Sequence, residues 1–237
     1  SRTYKIVFQT VKGIRKICIA FDLDDTLYKE RDYVMTGRRA VADRFSGPAG
    51  MCADRLCGLM DQAPDAFDAL LALPGIGDAG ITIDDVLSVY RSHMPELTLP
   101  ANTAEALGRL KSRGAVLAII TDGRSLTQRN KIKALGLEDY IPAANILISE
   151  EVGDDKLSPR PFRDLMDRVA ADRYYMVGDN PVKDFYHPNL LGWTSIMLCD
   201  TEGVNVPSQD LGDYEPDRWP QIFIDKLTQL HELCLPH

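Results

Sequence analysis

Carboxylates are the residues of this chain best placed to do chemistry. Asp22, Asp24 and Asp25 lie in the segment Asp22-Leu-Asp-Asp-Thr-Leu-Tyr28, directly after the apolar run of residues 15–21. Thr121, Asp122 and Gly123 follow a second apolar run, Ala115 to Ile120, and Asp179 and Asp184 follow a third, Tyr174 to Val177. Lys156 stands in a polar stretch after a shorter run, Ile146 to Ile148. Singly, each has a plain reading: an aspartate at a strand end is commonly a turn former or a helix cap, and a lysine in a polar loop is usually solvated. Jointly they ask for more. Acids gathered in one place raise each other's proton affinity unless a cation offsets them. A hard divalent ion with oxygen ligands, Mg2+ above all, is the economical partner for such a set.

These side chains meet only if the apolar runs lie side by side. Short apolar runs alternating with helical stretches predict a parallel sheet with helices on both faces, and in such sheets ligands bind beyond the carboxyl ends of the strands. After Pro100 the helical stretches are Asn102 to Arg113, a helix opened by a capping box at Ser125-Leu-Thr-Gln128 and closed at Gly136, and a helix with Ser158 as N-cap and Pro159 at its first position, reaching about Ala170. Trp193 to Cys199 reads as another strand, and Ile222 to Ile224 as an edge strand before a last short helix. Residues 29–98 show no strong strand pattern. They read as helices: Tyr33, Val34, Val41 and Phe45 at helical spacing, then Met51 to Met60, Ala66 to Leu73, and a helix opened by Thr82-Ile-Asp-Asp85 and ending near His93. Loops at Gly47-Pro48 and Pro74 to Gly77 are expected between them. The expected organisation is one α/β core, residues 1–28 and 99–237, with an all-helical insert, residues 29–98, after the first acidic cluster.

Asp22-Leu-Asp-Asp-Thr, Thr121-Asp-Gly, Lys156 and the Gly178-Asp179 to Asp184 stretch resemble, in order, the four motifs of the haloacid dehalogenase (HAD) superfamily. The segments Ser149 to Lys156 and Val177 to Phe185 add to the likeness, and Lys156-Leu-Ser-Pro159 departs from the Lys-Pro-Asp-Pro that relatives often carry. The resemblance implies a three-layer Rossmann-like fold and makes the insert a C1-type cap. It implies that Asp22 attacks phosphorus to form an aspartyl-phosphate. Asp24 would protonate the leaving oxygen and then activate water. Its backbone carbonyl would ligate Mg2+ with the carboxylates of Asp22 and Asp179, with Asp184 binding the ion through water or orienting Lys156. Thr121, Asp122 and Gly123 would hold the phosphoryl group, with Lys156 offsetting its charge. An acid two positions after the nucleophile is absent from the superfamily's dehalogenases, phosphonatases and transport ATPases. Asp24 therefore points to a phosphatase acting on a small phosphomonoester, a sugar phosphate or a nucleotide. A phosphomutase keeps the same acid and stands as the alternative, as does a silent binding protein of the same fold.

The remaining features bound the possibilities. Forty-five per cent hydrophobic and 26% charged residues exclude a disordered or fibrous chain. A net charge of −8 disfavours non-specific binding to nucleic acid or anionic membranes. No apolar run approaches the roughly 20 residues of a membrane span. The first residues alternate like a strand and lack a signal-peptide core, and Ser1 is no start residue, so removal of a few leading residues is expected. Five scattered cysteines without a metal spacing fit a reduced, cytoplasmic protein. Arg31, Arg38, Arg39, Arg44 and Arg124 are candidates to hold an anionic or planar substrate group, although a solvated basic face is the plainer reading for most of them. Tyr33 and Met35 are candidate pocket residues for which packing is again the simpler account. His93, His187, His231 and His237 are taken as structural, and oligomeric state is not legible.

Overall fold

A computed structural model describes residues 16–212 and 214–235. The N-terminal alternating segment and His237 lie outside them. Six strands, β1 (Ile17–Phe21), β2 (Val116–Thr121), β3 (Ile146–Ile148), β4 (Arg173–Gly178), β5 (Thr194–Leu198) and β6 (Ile222–Ile224), form one parallel sheet in the order β3-β2-β1-β4-β5-β6. All five residues of β1 are buried, because both of its faces are covered: Ile17, Ile19 and Phe21 join one core, Cys18 and Ala20 the other. That double burial is why the strand is a continuous apolar run and not an alternating one. From β1 the chain steps outward to β2 and β3, then returns to the far side of β1 as β4. The strand order reverses there, which opens a crevice at the carboxyl ends of β1 and β4.

The first five of the helices between β1 and β2 are α1 (Glu30–Ala49), α2 (Ala53–Gln62), α3 (Ala66–Leu71), α4 (Pro74–Asp78) and α5 (Ile83–Ser92). They bury a core of their own around Val41, Phe45, Leu56, Met60, Leu70 and Val86. The capping box at Thr82 and Asp85 forms as the spacing predicts. The two loops do not. Alpha1 runs through Gly47 and Pro48 to a left-handed Gly50, because Val41, Ala42 and Phe45 bury their side of it. Pro74 starts α4 instead of a loop, at the position where a missing N–H costs nothing. Its next residue must be glycine, since a Cβ on Gly75 would stand 2.1 Å from the Pro48 carbonyl oxygen.

The core helices are α6 (Ala101–Ser112), α7 (Ser125–Ala134), α8 (Ser149–Val152), α9 (Arg160–Arg168), α10 (Tyr186–Leu190) and α11 (Leu230–Cys234). Alpha6, α7 and α11 cover one sheet face through Leu107, Leu110, Ile132 and Leu230; α8, α9 and Trp193 cover the other through Val152, Phe162 and Leu165. Two expected caps are corrected. Ser125 is the first residue of α7, not its N-cap, and Gln128 does not reach back to the helix start: Ser125 Oγ donates to Glu151 and Gln128 turns into the crevice. Alpha9 begins at Arg160 with Pro159 as N-cap, and Ser158 Oγ accepts from the Arg160 amide one position outside.

Candidate active site

The crevice is built from strand ends. Asp22 leaves β1 with its amide bonded to the Val177 carbonyl at 2.8 Å, which holds it level with the end of β4. Lys156, between α8 and α9, is 3% exposed, and its Nζ donates to Asp22 Oδ1 at 2.7 Å and to Asp184 Oδ1 at 2.6 Å. Its backbone amide donates to Asp122 Oδ1 at 3.0 Å, tying the loop after α8 to the end of β2. Asp184 Oδ2 accepts from the amides of Asp179 and Asn180 at 3.2 and 2.9 Å. Gly178 permits this, because a Cβ there would lie 2.3 Å from that same oxygen.

Asp22, Asp179 and Asp184 are all buried, and each offers a carboxylate oxygen within 4.8 Å of the others. Burial raises Asp179 to about 9 and Asp22 to about 7, with the neighbouring carboxylates pushing the same way and Lys156 only partly offsetting them. Burial would lower the Lys156 ammonium pKa, but Asp184, Asp22 and Asp122 hold it above its ordinary value. One lysine thus leaves excess negative charge among three buried acids. A set of hard oxygen donors in that state fits a divalent cation.

Asp24 stands apart from this trio. Its Oδ1 accepts from Tyr28 Oη at 2.5 Å and Lys131 Nζ at 2.8 Å, and its Oδ2 from Gln128 Nε2 at 3.0 Å. Burial opposes its charge, yet Lys131, Tyr28 and Gln128 together hold the carboxyl below the usual aspartate range. Gln128 also donates to Thr121 Oγ1 at 2.7 Å. Lys131 is capped from the insert, with the Tyr33 ring centroid 4.3 Å from Nζ. Asp25 takes a left-handed φ of +56°, and its two oxygens accept from the amides of Glu30 and Val206, both at 2.9 Å. The first helix of the insert and the loop after β5 are thereby pinned to one aspartate.

That loop closes one side of the crevice. Asn205 Nδ2 donates to Asp179 Oδ2 at 3.2 Å while its Oδ1 accepts from Lys29 Nζ at 2.8 Å, and Gln209 donates to the Asp179 carbonyl at 3.0 Å. The resulting cleft, about 210 Å3, brings together Asp22, Asp24, Thr121, Asp122, Lys156 and Asp179, and is finished by Glu30, Asn180, Lys183, Val206 and Pro207. Gly123 is placed beside it, with its amide already donating to Ser149 Oγ at 2.9 Å. Arg38 pairs with Asp61 and Arg39 with Asp43 and Asp54 inside the insert, Arg44 lies over Phe45, and neither they nor Arg31 nor Arg124 line the cleft. Tyr33 is buried and Met35 exposed. The sequence did not single out Tyr28, Lys131, Lys183, Glu30 or Asn205, and it gave Gln128 only a capping role. Gln128 and Lys131 carried a signal, being three apart on a helix just after Thr121; Asn205 carried none, since only the folded loop brings it to Asp179.

A family model described as haloacid dehalogenase-like hydrolase matches residues 18–185, well over half of the chain and every strand end described above but the last two. The chain belongs to the haloacid dehalogenase-like hydrolases. Among curated relatives, a glyceraldehyde 3-phosphate phosphatase of Methanocaldococcus jannaschii is 26% identical over 208 residues, covering 83% of this chain and 90% of that protein. A ribulose-1,5-bisphosphate 5-phosphatase of Halopiger xanaduensis is 27% identical, covering 91% and 85%. The HAD-hydrolase YfnB of Bacillus subtilis, crystallised with magnesium, shares the fold at a TM-score of 0.63 and 19% identity, over 94% of this chain and 100% of that one. Among the described residues of this HAD-like hydrolase, no helix is long and apolar enough to cross a membrane.

Proposed function

We propose that this chain is a phosphatase, a HAD-like hydrolase of phosphoric monoester bonds, acting on a small soluble substrate with Mg2+ as cofactor. The observation that carries the reading is Lys156, buried between Asp22 and Asp184 at the end of the sheet. A nucleophile, a cation to offset phosphoryl charge and an acid cluster are held in one cleft. The phosphatase relatives support it. The cleft is smaller than the roughly 300–1,000 Å3 of drug-sized sites, which fits a small phosphomonoester.

In this mechanism Asp22 attacks phosphorus. Lys156 fixes its Oδ1, and the described residues place no donor on its other oxygen, which is the one free to attack. Thr121, with its hydroxyl oriented by Gln128, and the amide of Asp122 receive the phosphoryl oxygens. Asp22, Asp179 and the Asp24 carbonyl would hold Mg2+, with Asp184 anchoring Lys156; when bound, the ion neutralises charge shared by the acids and the phosphoryl group. The carboxylate of Asp24 is held in its charged form, which suits the second half of the reaction, in which it takes a proton from the attacking water. To serve first as the acid it must gain a proton against the pull of Lys131. Phosphate release from an aryl phosphate, measured with Mg2+ and again with EDTA, tests the proposal. Metal-dependent release that disappears in Asp22→Asn is expected; no release across a broad panel of phosphomonoesters would overturn it.

A further inference from the structure

Among the described residues, every carboxylate around the cleft accepts a hydrogen bond with one exception, Asp179 from Thr26 and Asn205 and the others as follows. Lys156 serves Asp22 and Asp184, Lys131 serves Asp24, and Lys183 reaches Asp122 at 3.0 Å. Asp25 is satisfied by two backbone amides. Glu30, the first residue of α1, is half-buried and lines the cleft, and among the described residues no group donates a hydrogen bond to its carboxylate. Lys131, the cation that acts on it, is already committed to Asp24. The phosphoryl end of the cleft is set by Asp22, Thr121 and Lys156. The wall beyond that end comes from other elements: Glu30 from the insert, and Val206 and Pro207 from the loop after β5. The arginines that would welcome an anionic leaving group lie elsewhere.

We propose that Glu30 reads the leaving group: it selects small phosphomonoesters whose leaving group presents an uncharged hydroxyl or an ammonium donor, and rejects those carrying a carboxylate or a second phosphate. The proposal rests on the phosphatase reading and narrows its substrate class. A partly desolvated carboxylate without a partner accepts a donor in a charge-assisted bond, about twice as strong as a neutral one. The same carboxylate repels an anion with little water to screen it. Building repulsion against the wrong partner is an ordinary route to specificity.

The test is kcat/KM for four substrates with Mg2+ present: an aryl phosphate, glycerol 3-phosphate, phosphoethanolamine and 2-phosphoglycolate. Glu30 is pushed up to about 7 by burial and by the charge of Asp24, so assays at about pH 8 keep it ionised. At least one donor-bearing substrate should exceed 2-phosphoglycolate by about tenfold or more, and which one leads tells hydroxyl from ammonium. Glu30→Gln should shrink that ratio about tenfold, chiefly by raising the value for 2-phosphoglycolate, whereas Glu30→Asp keeps the charge and should keep the preference. The wild-type ratio needs no variant to fold. Equal use of 2-phosphoglycolate by the wild type, or an unchanged ratio in folded Glu30→Gln, overturns the role of Glu30 while phosphate release from the aryl substrate leaves the phosphatase reading intact. No release from any of the four overturns both.

Discussion

Asp22 and Asp24 sit two residues apart and are held in opposite electrostatic states. Burial, with the neighbouring acids behind it, raises Asp22 to about 7, while Asp24 is gripped by Lys131, Tyr28 and Gln128 and held low. Asp22→Asn should reduce phosphate release to background, with no phosphorylated protein trapped on acid quench. Asp24→Asn should do more than slow catalysis. It leaves the Lys131 ammonium buried without its anion, and breaking such a pair from one side costs on the order of 3 kcal/mol. Urea denaturation should show that loss in Asp24→Asn and in Lys131→Met singly, and a smaller loss in the double variant than the two added together. The raised acids make a pH prediction of the other sign. Asp179 has its folded pKa lifted to about 9 from an ordinary value near 3.8. Its neutral form therefore favours folding below the unfolded pKa, and that benefit is lost as pH rises toward the folded one. Without metal the melting temperature should fall across that window. Because a cation needs the deprotonated acids, stabilisation by added Mg2+ should be larger at about pH 8 than at about pH 6. Equal shifts at both would count against a metal on this trio.

At the level of elements, α7 joins the insert to the chemistry. One side of it sends Gln128 and Lys131 to Asp24, while Thr127 donates to the Arg91 carbonyl at 2.9 Å and Asn130 to the His93 carbonyl at 3.1 Å, both at the end of α5. Tyr33 of α1 completes the seam over Lys131. The contact between α1 and α5 depends on a glycine, because a Cβ on Gly37 would lie 2.3 Å from the Tyr90 ring. Gly37→Ala should cost about 1–3 kcal/mol by overpacking, read as a lower urea midpoint with an unchanged slope. The capping-box reading of Ser125 to Gln128 failed for a reason at this scale. The pattern of residues was right for a helix start, but Gln128 has two acceptors in the cleft, and these outcompete a solvent-exposed cap. The loops expected at Gly47-Pro48 and Pro74 to Gly77 failed because buried partners extend α1 and because Pro74 can begin a helix as easily as interrupt one.

At the scale of the molecule, the described residues form two sheet-face cores and a separate core inside the insert. Leu56, fully buried in the insert, should cost about 2–5 kcal/mol when cut to alanine. Hydrogen exchange should then rise in α1, α2 and α5 more than in β1 and β2; uniform loss of protection would show that the insert and sheet open as one unit. What the sequence by itself determined is local and periodic. Every strand among the described residues was legible: burial on both faces demands an unbroken apolar run in β1, and β6 keeps such a run at the sheet edge although Phe223 is exposed. The acids at the strand ends were legible because a parallel sheet gathers those ends in one crevice. Lys156 and Asp184 were found through their spacing in the motifs. The tertiary structure decided which charges are neutralised. Gln128, Lys131 and Asn205 owe their places to contacts between segments 26 to 176 residues apart, and the cleft that Glu30 faces is assembled from equally remote segments; no period or short spacing encodes such a distance. The same side chain type could have been solvent-exposed at each of those positions. Only the packing of α7 and the loop after β5 against the first strand end made three of them partners, and left Glu30 facing the cleft without one.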